Sequence, residues 1–116
     1  PDAALETMFR AYRDTYRAFR LDYLIYGHIS QNHLHTDLLP KDEAGLARAR
    51  EAALAVTRLA VSLGGTVSAE HGIGKLKRHL LPLLYGEEGV AEMRALKRAL
   101  DPAGILNRGC VFPWQT

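Results

Sequence analysis

The segment LIYGHISQNHLHTDL, residues 24–38, is rich in aromatic and β-branched residues and holds three of the five histidines of the chain. Residues of these types favour strands, so we predict two short strands, joined as a hairpin, between residues 22 and 39. With a two-residue turn at Gln31-Asn32, His28 lies directly opposite His35, with the Cβ atoms about 4.5 to 5.5 Å apart. Two imidazoles at that separation are able to share one metal ion.

The same pairing divides the hairpin into a polar face and an apolar face. The polar face carries Tyr26, His28, Ser30, His33, His35 and Asp37. The apolar face carries Ile25, Ile29, Leu34 and Leu38. Gln-Asn is a poorer two-residue turn than Asn-Gly, and a longer loop would break this pairing. Histidines at such a spacing are more often surface or hydrogen-bonded residues than ligands, so the spacing alone leaves both alternatives open.

Segments with helical periodicity flank the hairpin. Asp2 is a candidate N-cap for a helix over about 3–20. The apolar stripe of that helix is Leu5, Met8, Phe9, Tyr12, Tyr16 and Phe19. Asp42 is a second candidate N-cap, and the alanine-rich stretch that follows predicts a long helix that ends at Gly64-Gly65.

The second half of the chain predicts further short elements. They are a strand at 66–68, a loop containing Gly72 and Gly74, helices at 75–84 and 87–100, and an irregular tail at 102–116. Helices that alternate with antiparallel strands indicate the α+β class, and 116 residues are enough for one domain over 1–116.

Composition argues against several classes of function. The chain is 47% hydrophobic and contains no apolar run near the roughly 18 residues that span a membrane, so no membrane span is expected. The net charge of +2 is small, and the basic run Lys75, Lys77, Arg78 has no interleaved aromatic residues, so no nucleic acid partner is expected. The single cysteine, Cys110, excludes an internal disulfide and fits a reducing, cytoplasmic location.

A third metal ligand has an obvious source in Glu70-His71, which lies in the glycine-broken loop SAEHGIG. Two histidines and one carboxylate form a common catalytic metal site for zinc or iron. As alternatives, Glu70 caps a helix that begins near Lys75, and His71 is an ordinary turn residue. His79 is expected on a solvated helix face and has no assigned role.

Three stretches together resemble the C-terminal part of the FAD-linked oxidases, the relatives of D-lactate dehydrogenase, D-2-hydroxyglutarate dehydrogenase and the glycolate oxidase flavin subunit. They are YGHI with His35, then GGTVSAEHGIGKLKRHLLP, then MRALKRALDPAGILNRGCVFP. The resemblance covers about residues 23–113. It implies a ferredoxin-like antiparallel sheet with helices on one face, as half of a cap domain over FAD that is bound mainly by a separate domain.

The resemblance also assigns roles to individual residues. It implies a divalent metal such as zinc, iron or manganese on His28, His35 and Glu70, with His71 as the general base and Asn107 near the flavin. The ion would polarise a small 2-hydroxyacid of the D-lactate or glycolate type, and His71 would accept the hydroxyl proton. A hydride would pass to FAD, giving the 2-oxo acid.

The chain departs from the family pattern at two places. Relatives commonly read Gly-Asp-Gly-Asn between the two histidines, whereas this chain has Ser30-Gln31-Asn32-His33. Relatives commonly read Asn-Pro-Gly-Lys near the end, whereas this chain has Asn107-Arg108-Gly109-Cys110. These differences place the contacts with substrate and flavin in question.

No glycine-rich phosphate-binding segment is present in the sequence, so the chain is expected to be a C-terminal fragment that needs the missing FAD-binding domain and is inactive alone. Half of a cap domain leaves a sheet edge uncovered, which predicts a homo-oligomer of the fragment. The competing interpretation is a non-enzymatic α+β module for metal binding or oligomerisation.

Overall fold

The structure, a computed structural model, describes residues 1 to 113 of the chain. The described residues divide into two compact units, 1 to 65 and 66 to 113. The expectation of one domain over 1–116 stays a prediction, and residues 114 to 116 of the predicted tail lie outside the described residues.

The first unit is a helix, a hairpin and a second helix. Its elements are α1 (Leu5–Ala18), β1 (Tyr23–His28), β2 (His33–Leu38) and α2 (Glu43–Ser62), with a 3-10 turn at Asp2–Ala4 before α1. The strands β1 and β2 pair antiparallel in a two-stranded sheet. This arrangement confirms the predicted α+β class, whereas the ferredoxin-like topology stays a prediction.

The second half of α1 packs into the core of the first unit, whereas Phe9 of the predicted apolar stripe is 43% exposed. Tyr16 is only 1% exposed, and its hydroxyl donates to Thr36 Oγ1 on β2 at 2.9 Å. The buried core consists of Tyr16, Leu21, Ala49, Ala52 and Val56, with Tyr12, Phe19, Tyr23 and Leu38 packed against it. Because Tyr23, Thr36 and Leu38 share one face of the hairpin, the helices cover that face, as predicted.

The helix α2 begins as its sequence predicts. The Asp42 carboxylate accepts a hydrogen bond from the Gly45 N–H at 2.5 Å, which satisfies one of the free donors of the first turn. Small residues at Ala49 and Ala52 allow α2 to approach the core closely. The helix ends at Ser62, and Gly64 follows with φ 80°, a conformation that glycine adopts without strain.

The predicted register of the hairpin is wrong by two residues. His28 pairs with His33, and His35 pairs with Tyr26. The connection is longer than predicted, with a 3-10 turn at Ile29–Gln31 and Asn32 in the left-handed region at φ 52°. A two-residue type I′ turn needs positive φ at both positions, which suits Asn32 but not Gln31.

The shift has a limited effect on the faces of the hairpin. A slip of two residues keeps each strand side chain on its predicted face, because the side-chain period of a strand is two. Ile29 and Ser30 are the exceptions, since both lie in the turn rather than in a strand, and Ile29 is 66% exposed. Their predicted places on the two faces are therefore wrong.

Two further features concern the tip of the hairpin and the spacing of its strands. The Asn32 side-chain amide donates to the Asp2 carboxylate, which links the tip of the hairpin to the first turn of the chain. Gly27 has φ 135°, and a Cβ added there would lie 2.4 Å from the His33 carbonyl oxygen. The close approach of the two strands at this point therefore requires glycine.

The strand predicted at 66–68 does not form in the described part of the second unit. The Ser68 N–H donates to Thr66 Oγ1 at 3.1 Å, and the Ser68 hydroxyl donates to the Gly72 carbonyl at 2.5 Å. Such local bonds from Ser and Thr side chains compete with strand pairing. The prediction fails because this segment bends on itself.

The helical part of the second unit begins later than predicted. A 3-10 turn at Arg78–Leu80 leads into α3, Leu81–Leu100. The helix predicted at 75–84 is therefore wrong in its first half. Gly86, with φ 68° and ψ 170°, interrupts α3 and separates the segment 81–85 from the confirmed helix at 87–100.

Asp101 ends α3, as predicted, and then organises the following loop. Its carboxylate accepts hydrogen bonds from the N–H groups of Ile105 and Leu106, each at 3.0 Å, and from Lys97 Nζ at 2.5 Å. Residues 102 to 113, which are the described part of the predicted tail, form neither helix nor strand. Among the described residues, no helix is long and apolar enough to cross a lipid bilayer.

Candidate metal centre

The face of the hairpin opposite the helices carries three histidines. His33 and His35 are two residues apart on β2 and therefore share a face, and His28 is the cross-strand partner of His33. The ring centroids of His33 and His35 are 4.5 Å apart, those of His28 and His33 are 6.0 Å apart, and those of His28 and His35 are 6.4 Å apart. The three imidazoles therefore form one cluster within the first unit.

His28 and His35 are brought together even though they are not direct partners. One ring nitrogen of each lies within 4.8 Å of the other. Diagonal neighbours in an antiparallel pair are within reach of long or aromatic side chains, so the wrong register does not separate them. In a zinc site with Zn–N distances of about 2.1 Å, two nitrogen ligands lie roughly 3 to 4 Å apart. A small rotation of the His28 and His35 rings is therefore enough to bring their nitrogens to that separation.

His33 belongs to this cluster, although sequence reasoning gave it no role as a ligand. The predicted pairing placed it opposite Ser30, whereas the structure places it opposite His28. The signal that could have found it is the spacing His33-x-His35 on a single strand, because alternate strand residues share a face.

Tyr26 and Asp37 border the histidine cluster. The Tyr26 ring stacks against His35 at a centroid distance of 5.2 Å, and its hydroxyl donates to Asp37 Oδ2 at 3.0 Å. This hydrogen bond to a carboxylate raises the pKa of Tyr26. The Tyr26 ring thus lies against one side of the His35 ring, with its hydroxyl held by Asp37.

Glu70 and His71 lie in a turn of the second unit. The Gly72 N–H donates to the Ala69 carbonyl at 3.0 Å. Lys77 Nζ supports the turn by donating to Ser68 Oγ at 3.0 Å. His71 Nε2 is 3.5 Å from Glu70 Oε1, and both side chains are exposed to solvent.

The alternative role of Glu70 as a helix cap is wrong. No described helix begins near Lys75, and the 3-10 turn that starts at Arg78 has no side-chain cap. His79 lies in that 3-10 turn and is exposed. Glu70 and His71 are both exposed on the surface of the second unit.

Asn107 lies in the loop that Asp101 organises. Its backbone is in the left-handed region at φ 46°, which asparagine tolerates better than most residues, and its carbonyl accepts from the Cys110 N–H at 3.0 Å. Asn107 lines a surface cavity of about 360 Å³ within the second unit. Four cationic residues, Arg94, Lys97, Arg98 and Arg108, and one carboxylate, Asp101, also line it, and Lys97 is paired with Asp101. The remaining excess of positive charge suits an anionic group.

Comparison with known proteins identifies the family. Residues 1 to 111 match the sequence model of the C-terminal domain of FAD linked oxidases. The chain belongs to this family. The resemblance drawn from the three sequence stretches is therefore confirmed. As a member of the FAD linked oxidase C-terminal domains, the chain is related to oxidoreductases that use FAD.

Individual relatives support the same assignment. The chain is 34% identical to the glycolate oxidase subunit GlcD of Bacillus subtilis over 97% of its length, which is 24% of that relative. It is 37% identical to a D-2-hydroxyglutarate dehydrogenase of Xanthomonas citri over 85% of its length and 21% of the relative. It is 34% identical to a D-lactate dehydrogenase of Archaeoglobus fulgidus over 96% of its length and 25% of the relative. The chain thus spans about a quarter of the length of these FAD linked oxidases.

Proposed function

We propose that this chain is the substrate- and metal-binding part of a FAD-dependent oxidoreductase that converts a 2-hydroxyacid into a 2-oxo acid. Family membership supports the dependence on FAD. The names of three relatives support the substrate class, because glycolate, D-lactate and D-2-hydroxyglutarate are all 2-hydroxyacids. The observation that carries the proposal is the approach of His28 and His35, whose ring nitrogens lie within 4.8 Å of each other.

The proposed metal ligands are His28, His35 and Glu70. Two imidazoles and one carboxylate suit zinc, iron or manganese and leave coordination positions open. His28 is exposed and His35 is half-buried, so solvent and small molecules reach the face that they form. A divalent ion held by these residues would polarise the 2-hydroxyl of the substrate and make it more acidic.

His71 is the proposed general base. It would accept the proton of the 2-hydroxyl on a ring nitrogen while the O–H bond breaks and the carbonyl of the product forms. The flavin, when bound, accepts the hydride that leaves the α-carbon.

Asn107 is the proposed flavin contact of this chain. It lies on a cavity whose lining carries more cations than carboxylates, which fits a cofactor with phosphate groups. Asp101 accepts hydrogen bonds from two N–H groups of the same loop and so holds the backbone that precedes Asn107. Asn107→Ala is expected to weaken flavin retention more than metal binding.

A chimera tests the proposal directly. We would replace the matching quarter of the Bacillus subtilis glycolate oxidase subunit with this chain and measure flavin content, bound metal and dye reduction with glycolate, D-lactate and D-2-hydroxyglutarate. The proposal expects reduction with at least one of the three acids. A chimera that holds flavin and metal but reduces no dye with any of them would contradict the proposed activity and favour a metal-binding module.

Variants of the chimera separate the proposed roles. His28→Ala and His35→Ala are expected to lose metal and activity together, whereas His71→Asn is expected to retain metal and lose about 10²-fold or more in kcat. His79→Ala is the matched control, since His79 is an exposed histidine outside the proposed site. Full metal content and full activity in both His28→Ala and His35→Ala would exclude these histidines as ligands.

A further inference from the structure

We infer that His33 is a third imidazole ligand, so that the hairpin of the first unit binds a transition metal ion through His28, His33 and His35. This inference rests on the proposed function, because two of the three ligands belong to the metal site proposed above. It adds a residue whose position relative to His28 became apparent only from the observed register, in which His33 is the direct partner of His28.

The spacing of the three rings fits a single ion. A point equidistant from three centroids separated by 4.5, 6.0 and 6.4 Å lies about 3.3 Å from each of them. An imidazole bound to zinc at about 2.1 Å has its ring centroid at roughly 3.2 Å from the metal. The cluster therefore needs little movement of the ring centres to surround one ion.

Coordination also requires each ring to direct a nitrogen at that point. Rotation about χ2 provides this, because the terminal torsion of histidine is broad and its two ring nitrogens are both able to bind metal. All three side chains are at least partly accessible, so the ion reaches the cluster from solvent. The paired strands hold the three Cα positions, which lowers the entropy cost of assembling the ligands.

A third imidazole has a chemical consequence for the choice of metal. Imidazole suits zinc, copper, nickel and iron, whereas manganese prefers oxygen ligands. His33 therefore shifts the preference of this chain away from manganese. It also allows the hairpin to bind metal before Glu70 of the second unit contributes.

The experiment titrates the untagged 116-residue chain with Co²⁺ and monitors binding by the visible d–d absorption and by calorimetry. His33→Phe is the decisive variant, because a phenyl ring retains the aromatic contact with His35 and has no nitrogen ligand. We expect at least tenfold weaker binding and a changed absorption spectrum in His33→Phe. His79→Phe, an exposed histidine of the second unit, is the matched control and is expected to bind like the unmodified chain.

Electron paramagnetic resonance of the Cu²⁺-loaded chain provides a second readout. We expect coupling from three imidazoles in the unmodified chain and from two in His33→Phe. Circular dichroism without metal verifies that each variant is folded, and His33→Asn replaces His33→Phe if the latter is not. Unchanged affinity and two imidazoles in both the unmodified chain and the His33 variant would overturn the inference.

The failure of this inference differs from the failure of the proposed function. If His28→Ala and His35→Ala lose metal but the His33 variant does not, His33 is not a ligand and the proposed metal site stands. If none of the three variants loses metal, both the inference and the proposed ligand set are wrong.

Discussion

His28 lies directly opposite His33 across the hairpin, whereas His35 lies opposite Tyr26. This strand register is shifted by two positions from that of a hairpin with a two-residue turn. The shift originates in the turn at Ile29–Gln31 and Asn32. It places a third imidazole next to the pair that the sequence motif indicates, and it places an aromatic ring beside His35. The proposed metal site thus depends on the geometry of the turn.

Gly27→Ala is expected to disturb both the fold of the hairpin and the cluster of three histidines. The added Cβ would lie 2.4 Å from the His33 carbonyl, at a residue with φ 135°. Strain of this kind costs about 2 kcal/mol or more. Thermal melts would measure the loss of stability, and Co²⁺ titration would show weaker binding.

Gly64→Ala is the control for this prediction. Gly64 also has positive φ, but an added Cβ there makes only an ordinary contact, 3.6 Å from Pro1 Cγ. Only the conformational cost of about 1 to 2 kcal/mol is expected. Equal effects of the two substitutions on metal affinity would show that the close contact with His33 is unimportant.

Tyr16→Phe is expected to destabilise the first unit by about 1 kcal/mol, because it removes the hydrogen bond to Thr36 and leaves that hydroxyl without its donor. Urea denaturation of Tyr16→Phe, Thr36→Val and the double variant measures the coupling, which should be about 0.5 kcal/mol or more. Tyr12→Phe, in the ring that lies 5.9 Å from Tyr16, leaves this bond intact and serves as the control. Strictly additive effects would show that the bond contributes nothing.

The first unit is expected to lose stability at alkaline pH. Burial raises the pKa of Tyr16 to about 12, whereas an unfolded tyrosine ionises near pH 10. Because folding raises this pKa, the contribution of Tyr16 is fully present below about pH 10 and is lost as the pH rises toward 12. Absorbance at 295 nm, compared between the unmodified chain and Tyr16→Phe, isolates the titration of Tyr16. Ionisation of Tyr16 near pH 10 in the folded chain would contradict the prediction.

Asp101→Asn is expected to loosen the loop that carries Asn107. The hydrogen bond from Lys97, together with the N–H groups of Leu106 and Ile105, lowers the pKa of Asp101. A lowered pKa means that the stabilisation is present above the unfolded value near 3.8 and is lost as the pH falls through the folded value.

Two measurements test the Asp101 prediction. The Tm of Asp101→Asn should be below that of the unmodified chain at pH 7, with a difference that shrinks below about pH 4. Amide hydrogen exchange at Ile105 and Leu106 should become faster. Asp22→Asn is the control, because the ion pair of Asp22 with Lys41 is exposed and such pairs contribute little. Equal Tm changes in the two variants would exclude a special role for Asp101.

Periodicity predicted most of the first unit, and capping predicted the start of α2 but not that of α1, because no side chain caps α1 and the Asp2 carboxylate accepts from Asn32 instead. The stripe that ends at Tyr16 and Phe19, the Asp42 cap and the strand-forming residues around Ile25 each agree with the packing that the structure shows. These signals are local, and tertiary contacts reinforce them rather than oppose them. The register was not predictable in the same way, because it depends on how many residues the turn around Asn32 uses.

The second unit was harder to predict at two places. The Thr66–Ser68 segment has strand-forming residues, but its hydroxyls bond to nearby backbone groups instead. The helix predicted from residue 75 begins only at Leu81, after the 3-10 turn, whereas the predicted break between residues 84 and 87 agrees with the non-helical conformation of Gly86. The motif SAEHGIG indicated the family, while the roles of Glu70 and His71 stay predictions.

The hydrogen bond between Asn32 and Asp2 has a practical consequence for any fusion to this chain. A peptide joined at Pro1 leaves the fold beside the loop that connects the two histidine-bearing strands. An amino-terminal polyhistidine tag would thus bring competing imidazoles to the end of the hairpin and inflate the apparent metal stoichiometry. Only an untagged preparation reports the metal affinity of the site formed by His28, His33 and His35.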